Sequence, residues 1–169
     1  FNRLVRDISK KTKKEVDFEI IGAETEIDKG ICEMLFNPLL HIIRNCVDHG
    51  IESTKEERLK AGKPAAGRII LKAYYKSDKV VIDISDDGAG INVDKVMAKA
   101  LEKKLITKEE SESMDKRSKL MLIFHPGFST ADVVTDLSGR GVGMDVVRST
   151  IENLKGIVDI NTEQGKGTT

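Results

Sequence analysis

Residues 41–49 read His41-Ile-Ile-Arg44-Asn45-Cys46-Val-Asp48-His49. At about 100° per residue on a helix, Arg44, Asn45, Asp48 and His49 fall within roughly 80° of His41, while Leu39, Leu40, Ile42, Ile43, Cys46 and Val47 fill the opposite arc. One arc is a core face. The other gathers two imidazoles, a guanidinium, an amide and a carboxylate, where an ordinary solvated face would be built from Lys and Glu. A solvated face is one reading. The alternative is a nucleotide site, since an Asn carbonyl oxygen is a hard donor suited to Mg²⁺ and an Arg fork pairs with phosphate oxygens. Zinc fits poorly, because His41 and His49 stand two turns apart and a further ligand is lacking.

Two further segments carry comparable chemistry. Asp86-Asp87-Gly88-Ala89-Gly90-Ile91 ends a strand-like run. As a plain turn, Asp-Gly is sufficient. As a site, Gly88 and Gly90 let the backbone approach a flat ligand while a carboxylate accepts from an amino group such as that of adenine. The run lacks the alternating oxygen ligands and distal Glu of an EF-hand loop. Ser138-Gly139-Arg140-Gly141-Val142-Gly143-Met144 opens a helical pattern, so backbone N–H groups and the positive end of the helix dipole would form an anion site. A Rossmann fingerprint does not fit well, because its third glycine would fall on Met144 or Val146 after a weak strand. Gly165-Lys-Gly-Thr168 is not a P-loop either, having no Gly five positions before Gly165 and no helix after it.

The elements that must position these groups follow from periodicity. Phe1, Leu4, Val5 and Ile8 form a helical stripe that starts at residue 1 with Phe, which reads as an excised fragment. Glu15–Ile21 alternates Val16, Phe18 and Ile20 as a strand does, and Gly22 closes it. Asp28–Gly50 is helical, with Pro38 expected in the first turn of a new helix capped by Asn37, because an interior Pro loses a hydrogen bond and clashes. Ser53-Thr-Lys-Glu56 predicts a capping box for a short helix ending at Gly62. Gly67–Tyr75 and Lys79–Asp86 predict an antiparallel hairpin. Val93–Ile123 is helical and charged, with a second capping box at Thr107–Glu110 and a polar, partly mobile stretch from Glu109 to Lys119. Phe124–Thr130 has turn chemistry, and Val133–Ser138 leads to the glycine run. Val147, Ile151 and Leu154 mark a last helix, and Ile157–Asn161 reads as a strand. The order is that of an α+β protein with a mixed, largely antiparallel sheet.

Composition narrows the classes. With 169 residues, 39% apolar residues and 14 glycines, the chain is long enough for one core and is neither disordered nor collagenous. The 28 Lys+Arg cancel 28 Asp+Glu, so there is no general attraction to nucleic acid or anionic membrane, and 4% aromatics with no Trp argue against base-stacking platforms. No run is long enough to span a membrane, and a cytoplasmic location is expected. Cys32 and Cys46 read as small buried hydrophobes.

The ordered set, a polar helix with a central Asn, D-x-G-x-G after a strand, G-x-G-x-G before a helix and a terminal G-x-G-T, resembles the GHKL superfamily of ATPases and kinases. Within it, residues 41–52, 124–130 and 138–147 resemble the chemotaxis sensor histidine kinases of the CheA type. The resemblance covers essentially the whole chain. It implies the Bergerat fold, a two-layer α/β sandwich with a mobile ATP lid, over a single domain of residues 1–169, with 1–14 a remnant of a preceding helical region and about 103–138 the insertion and lid.

It further implies Mg²⁺ and ATP as cofactors. Asn45 would coordinate Mg²⁺, with His41 a second candidate ligand. His41 stands where gyrase-like relatives keep a glutamate base, and would orient the γ-phosphate or assist proton transfer. Arg44, His49, Lys95 and Lys99 would meet phosphates, and Asp48 would orient a histidine. Asp86 would receive the adenine amino group, with Gly88, Gly90 and Ile91 against the base and Thr168 nearby. Phe124–Thr135, including Ser129, would form the lid, and Gly139, Arg140, Gly141, Val142, Gly143 and Met144 would cradle the phosphates.

The implied acceptor is a histidine on a separate phosphotransfer domain of the same kinase, which then feeds a response regulator. His41, His49 and His125 all lie in motifs, so none of them is the acceptor. Dimerisation and receptor-coupling domains would lie outside the chain, leaving a monomeric fragment of a homodimeric parent. A nucleotide-sensing binding module and a gyrase- or chaperone-like ATPase are the other readings; His41 in place of Glu argues against the latter.

Overall fold

Inward-facing Gly67, Ile69 and Leu71 alternate with more exposed neighbours along β2 (Gly67–Lys76), and this period of two fixes which face of the sheet meets the helices. The computed structural model describes residues 1–128 and 143–169. Strand β1 (Val16–Ile21) runs parallel to β2, with Val16 opposite Gly67, and β2 turns back into β3 (Lys79–Asp86) as an antiparallel hairpin. Two short strands, β4 (Thr162–Glu163) and β5 (Gly167–Thr168), complete the order β1-β2-β3-β5-β4. The sheet is therefore mixed and mostly antiparallel, as expected. Asp86, the last residue of β3, sits on the central strand opposite Thr168 of β5.

A parallel β1–β2 pair needs a long crossover. Helix α2 (Lys29–Asn45), a π-helical turn (Cys46–Gly50) and α3 (Lys55–Lys60) supply it. With α1 (Asn2–Thr12) they cover the sheet: Val5 and Ile8 of α1 share a core with Ile43, Cys46, Val47 and Ile51 and with the strand residues Ile69, Leu71 and Ile84. A second cluster joins Val96 and Ala100 of α4 (Val93–Glu102) to Leu122 and Phe128. Helices α5 (Lys108–Ser113) and α6 (Lys116–Met121) follow α4, and α7 (Met144–Asn153) packs on α2. The capping box at Thr107 and Glu110 forms with both reciprocal hydrogen bonds.

Four local expectations are corrected. Asn37 and Pro38 do not restart a helix: α2 is capped by Asp28, whose carboxylate accepts from the Ile31 N–H, and runs through Pro38 without a break. An interior Pro costs about 3 kcal/mol, and burial of Leu35, Pro38 and Ile43 on one side of the helix opposes that loss. The cap of α3 is Thr54 rather than Ser53; Thr54 Oγ1 accepts from Glu57 N–H, and the Glu57 carboxylate accepts from the Ser53 N–H. Cys32 is exposed, as is every residue of the first turns of α2 from Lys29 to Met34. Ile157–Asn161 is not a strand: among the described residues only Asn161 exchanges backbone hydrogen bonds, with Thr169, and Ile157 is 81% exposed.

Candidate nucleotide site

Asp86 owes its position to tight packing. The residue is 9% exposed, and one carboxylate oxygen accepts from the Gly88 N–H at 2.9 Å. Gly88 is required there because a Cβ would overlap the carbonyl of Gly50, to which Ala89 N–H donates at 2.9 Å. Burial pushes the Asp86 pKa up, while hydrogen bonds from the Gly88 N–H, the Cys46 thiol and the Thr168 backbone pull against it; burial prevails. The Cys46 thiol itself is pushed far above its usual range by burial and by the Asp86 charge. Beside this carboxylate the β4–β5 turn closes over the loop. The Ile91 N–H donates to Thr162 Oγ1, which also contacts the Thr168 hydroxyl at 3.0 Å, and Gly165 N–H donates to the Ala89 carbonyl.

At the other end of the site, His41, Arg44 and Asn45 line the last turns of α2 and are half-buried. The Asn45 amide nitrogen donates to the Met144 sulfur at 3.1 Å, tying the end of α2 to the start of α7. Burial lowers the His41 pKa, and Arg44 and His49 reinforce that effect against the opposing pull of Asp145 in the first turn of α7, which favours the neutral imidazole. Beyond Asn45 the chain widens into the π turn, closed by Ile51 N–H to Cys46 carbonyl at 2.8 Å. His49 is consequently exposed, while Asp48 is half-buried, with no hydrogen bond between Asp48 and either histidine among the described residues. Lys14 holds this turn from outside. Its ammonium donates to the carbonyls of Val47, Asp48 and Ile51 at 2.7 to 2.8 Å, and burial lowers its pKa despite Asp48, Glu52 and Glu57 nearby.

Lys95 is exposed on α4, and its N–H is taken by the Asn92 cap. Lys99 lies with its ammonium 4.8 Å from the centre of the Phe128 ring, and Lys103 donates to the carbonyls of Gly127 and Phe128. Gly143 caps α7. Ser129, Gly139, Arg140, Gly141 and Val142, with most of the expected lid, lie outside the described residues.

The structure thus brings together Asp86, Gly88, Gly90, Ile91 and Thr168 at one end, and His41, Arg44, Asn45 and Met144 at the other. Sequence reasoning missed the layer beneath. Arg58, 1% exposed, donates to Glu52 at 2.6 Å, to the Asp87 carboxylate at 2.8 Å and to the Pro64 carbonyl at 2.8 Å. Lys63 joins the same Glu52. In the sequence, Arg58 and Lys63 stand in a charged stretch indistinguishable from a solvated helix; the one available signal was Gly62-Lys63-Pro64, a helix stop followed by a stiff turn.

A mixed sheet backed by helices, with a buried carboxylate ending its central strand and a polar helix end alongside, has the form of a nucleotide-binding α/β domain. Two solved structures share that fold. The histidine kinase domain of the blue-light activated histidine kinase EL346 from Erythrobacter litoralis superposes with a TM-score of 0.54 at 14% identity, covering 99% of this chain and 58% of that one. The longer structure of that kinase gives 0.57 at 12% identity, covering 99% and 38%.

The family model for histidine kinase-, DNA gyrase B- and HSP90-like ATPases matches residues 34–169, and the chain belongs to that family. It is 47% identical to the chemotaxis protein CheA of Bacillus subtilis over 99% of this chain, and 51% identical to the sensor histidine kinase CheAY of Helicobacter pylori over 100%. It covers 25% and 21% of those proteins, respectively, so it spans about a quarter of its curated relatives or less. Among the described residues no helix is long and apolar enough to cross a membrane.

Proposed function

We propose that this chain is the ATP-binding catalytic domain of a chemotaxis histidine kinase, which binds Mg²⁺-ATP and directs its γ-phosphate to a histidine on a separate phosphotransfer domain. The observation that carries the reading is the Asp86 carboxylate, desolvated at the end of the central strand. One of its oxygens is engaged by Gly88, and the tight backbone of Gly50 and Gly88 surrounds it. A carboxylate so placed fits an exocyclic amino group, with Thr168 and Ile91 beside the base. The Asn45 end fits a hard cation: with its amide nitrogen donating to Met144, its carbonyl oxygen is the remaining donor, and oxygen is what Mg²⁺ takes.

The bound nucleotide and metal supply a polarised phosphoryl group and neutralise its charge. The protein's part is positioning and electrostatics. Neutral His41 offers a ring nitrogen that orients a phosphate or passes a proton. Arg44, His49, Lys95 and Lys99 balance phosphate charge. Gly139 to Met144 cradle the phosphates, and Phe124–Thr135, with Ser129, covers them. Residues 1–169 then act as one domain in the cytoplasm. The phosphoacceptor domain, the dimerisation and receptor-coupling modules and a response regulator are its partners, in keeping with the kinases to which it is 47–51% identical. The test is calorimetric titration with ATP, with and without Mg²⁺. Asp86→Ala should weaken binding roughly 10- to 150-fold, the worth of a hydrogen bond to a charged group. Asn45→Ala should bind ATP equally with and without Mg²⁺. Folded wild-type protein that does not bind ATP would refute the reading.

A further inference from the structure

We propose that Lys63 is a positioning residue for base recognition: it holds the two peptide planes whose opposite edges meet Asp86 and the Gly50 carbonyl. The proposal rests on the reading of Asp86 as the adenine acceptor and extends it to a residue outside the site.

The local sequence delivers Lys63 to its place. Helix α3 ends in a Schellman motif, with Gly62 at φ +73 in the left-handed region, Gly62 N–H donating to the Leu59 carbonyl at 3.0 Å and Lys63 N–H to the Arg58 carbonyl at 3.0 Å. Pro64 then stiffens the exit. From there the Lys63 ammonium uses all three of its hydrogens: to Glu52 at 2.7 Å, to the Asp87 carbonyl at 2.8 Å and to the Gly88 carbonyl at 2.6 Å. Its side chain is 13% exposed.

A planar trans peptide points its C=O and its N–H in opposite directions. The Asp87 carbonyl belongs to the peptide whose N–H is that of Gly88, which donates to the Asp86 carboxylate at 2.9 Å. The Gly88 carbonyl belongs to the next peptide, whose Ala89 N–H donates to the Gly50 carbonyl at 2.9 Å. One ammonium thus fixes the tilt of both planes. Through them it sets the carboxylate against Gly88 and the loop against the end of the π turn. It also polarises both N–H groups, strengthening each bond along the chain. Arg58 does not duplicate this role, since it meets the Asp87 side chain and Glu52 but neither loop carbonyl.

The test compares ATP with purine riboside triphosphate, which lacks the 6-amino group, by calorimetry on wild type, Lys63→Met and Lys63→Arg, each checked for a cooperative melt. Wild type should prefer ATP by about 10-fold or more, the lower end expected for a hydrogen bond to a carboxylate. In Lys63→Met the preference should shrink to within about 3-fold, and Lys63→Arg, which keeps donors for the carbonyls, should retain most of it. A merely structural loss would weaken both ligands equally and leave the ratio intact. Lys63→Gln, keeping one amide's donors, carries the same comparison if Lys63→Met does not melt cooperatively. A folded variant with the wild-type ratio overturns the proposal while leaving Asp86 in its role. A wild type that does not distinguish the two nucleotides overturns the adenine reading, and this proposal with it.

Discussion

Asp86 and Asp87 are adjacent carboxylates with opposite surroundings. Asp87 faces the floor of the loop, where Arg58 and the Arg68 N–H both donate to it and Glu52 and Lys63 complete an ionic cluster. Asp86 faces the other way, desolvated, held by weaker neutral donors and pushed toward protonation. Buried charges persist when they are paired, and a desolvated carboxylate with spare acceptor capacity is a poor stabiliser and a good receptor. The pair therefore separates two tasks within one turn of chain: Asp87 secures the loop so that Asp86 can be kept in an environment that does not suit it.

The largest effect should come from breaking the floor. Arg58→Met leaves Glu52 and Asp87 facing each other without their shared cation, and unfolding should become easier by about 3–5 kcal/mol in urea denaturation. Asp86→Asn should have the opposite sign, melting above wild type at neutral pH while abolishing the preference for an amino-bearing base; a melt below wild type would mean that Asp86, too, is structural.

A pH series sharpens the same contrast at smaller amplitude. Burial pushes the Glu52 pKa up, but hydrogen bonds from Lys63, the backbone and Arg58 outweigh it and the net shift is downward. Its contribution is complete above the ordinary glutamate range and is lost as pH falls through the lowered folded value. Asp86 is raised, so the native state keeps its proton longer than the unfolded chain and stability declines as pH climbs from the ordinary aspartate range through the raised value. Relative to wild type, the deficit of Glu52→Gln and the gain of Asp86→Asn should both close on acidification, as followed by thermal melts from pH 7 downward. The smallest effect concerns the helix that carries Arg58. Thr54→Ala should cost about 1 kcal/mol by removing the α3 cap, and Ser53→Ala, whose backbone N–H alone takes part, should change little.

Much of this was legible before folding. The period of two in Gly67–Tyr75 and Lys79–Asp86 and the reciprocal Thr107–Glu110 cap are local signals, and each forms close to its expected place because neighbouring residues alone decide it. Local rules failed where a distant surface outweighed them. Pro38 stays inside α2 because its ring is buried, and Ile157–Asn161 fails as a strand because pairing needs a partner that its own residues do not provide. The helical wheel of residues 41–49 holds to Asn45 and then slips, since the π turn is satisfied by Lys14, which lies more than 30 positions earlier.

By itself, then, the sequence determined most of the helices and strands and their order, because those depend on composition and short-range period. Only the tertiary structure decided that Asp86 faces the site while Asp87 faces Arg58, and that Lys63 reaches two carbonyls 24 and 25 positions away. Hydrogen-bond direction and desolvation depend on what the rest of the chain packs around a group, and no spacing along the sequence encodes that.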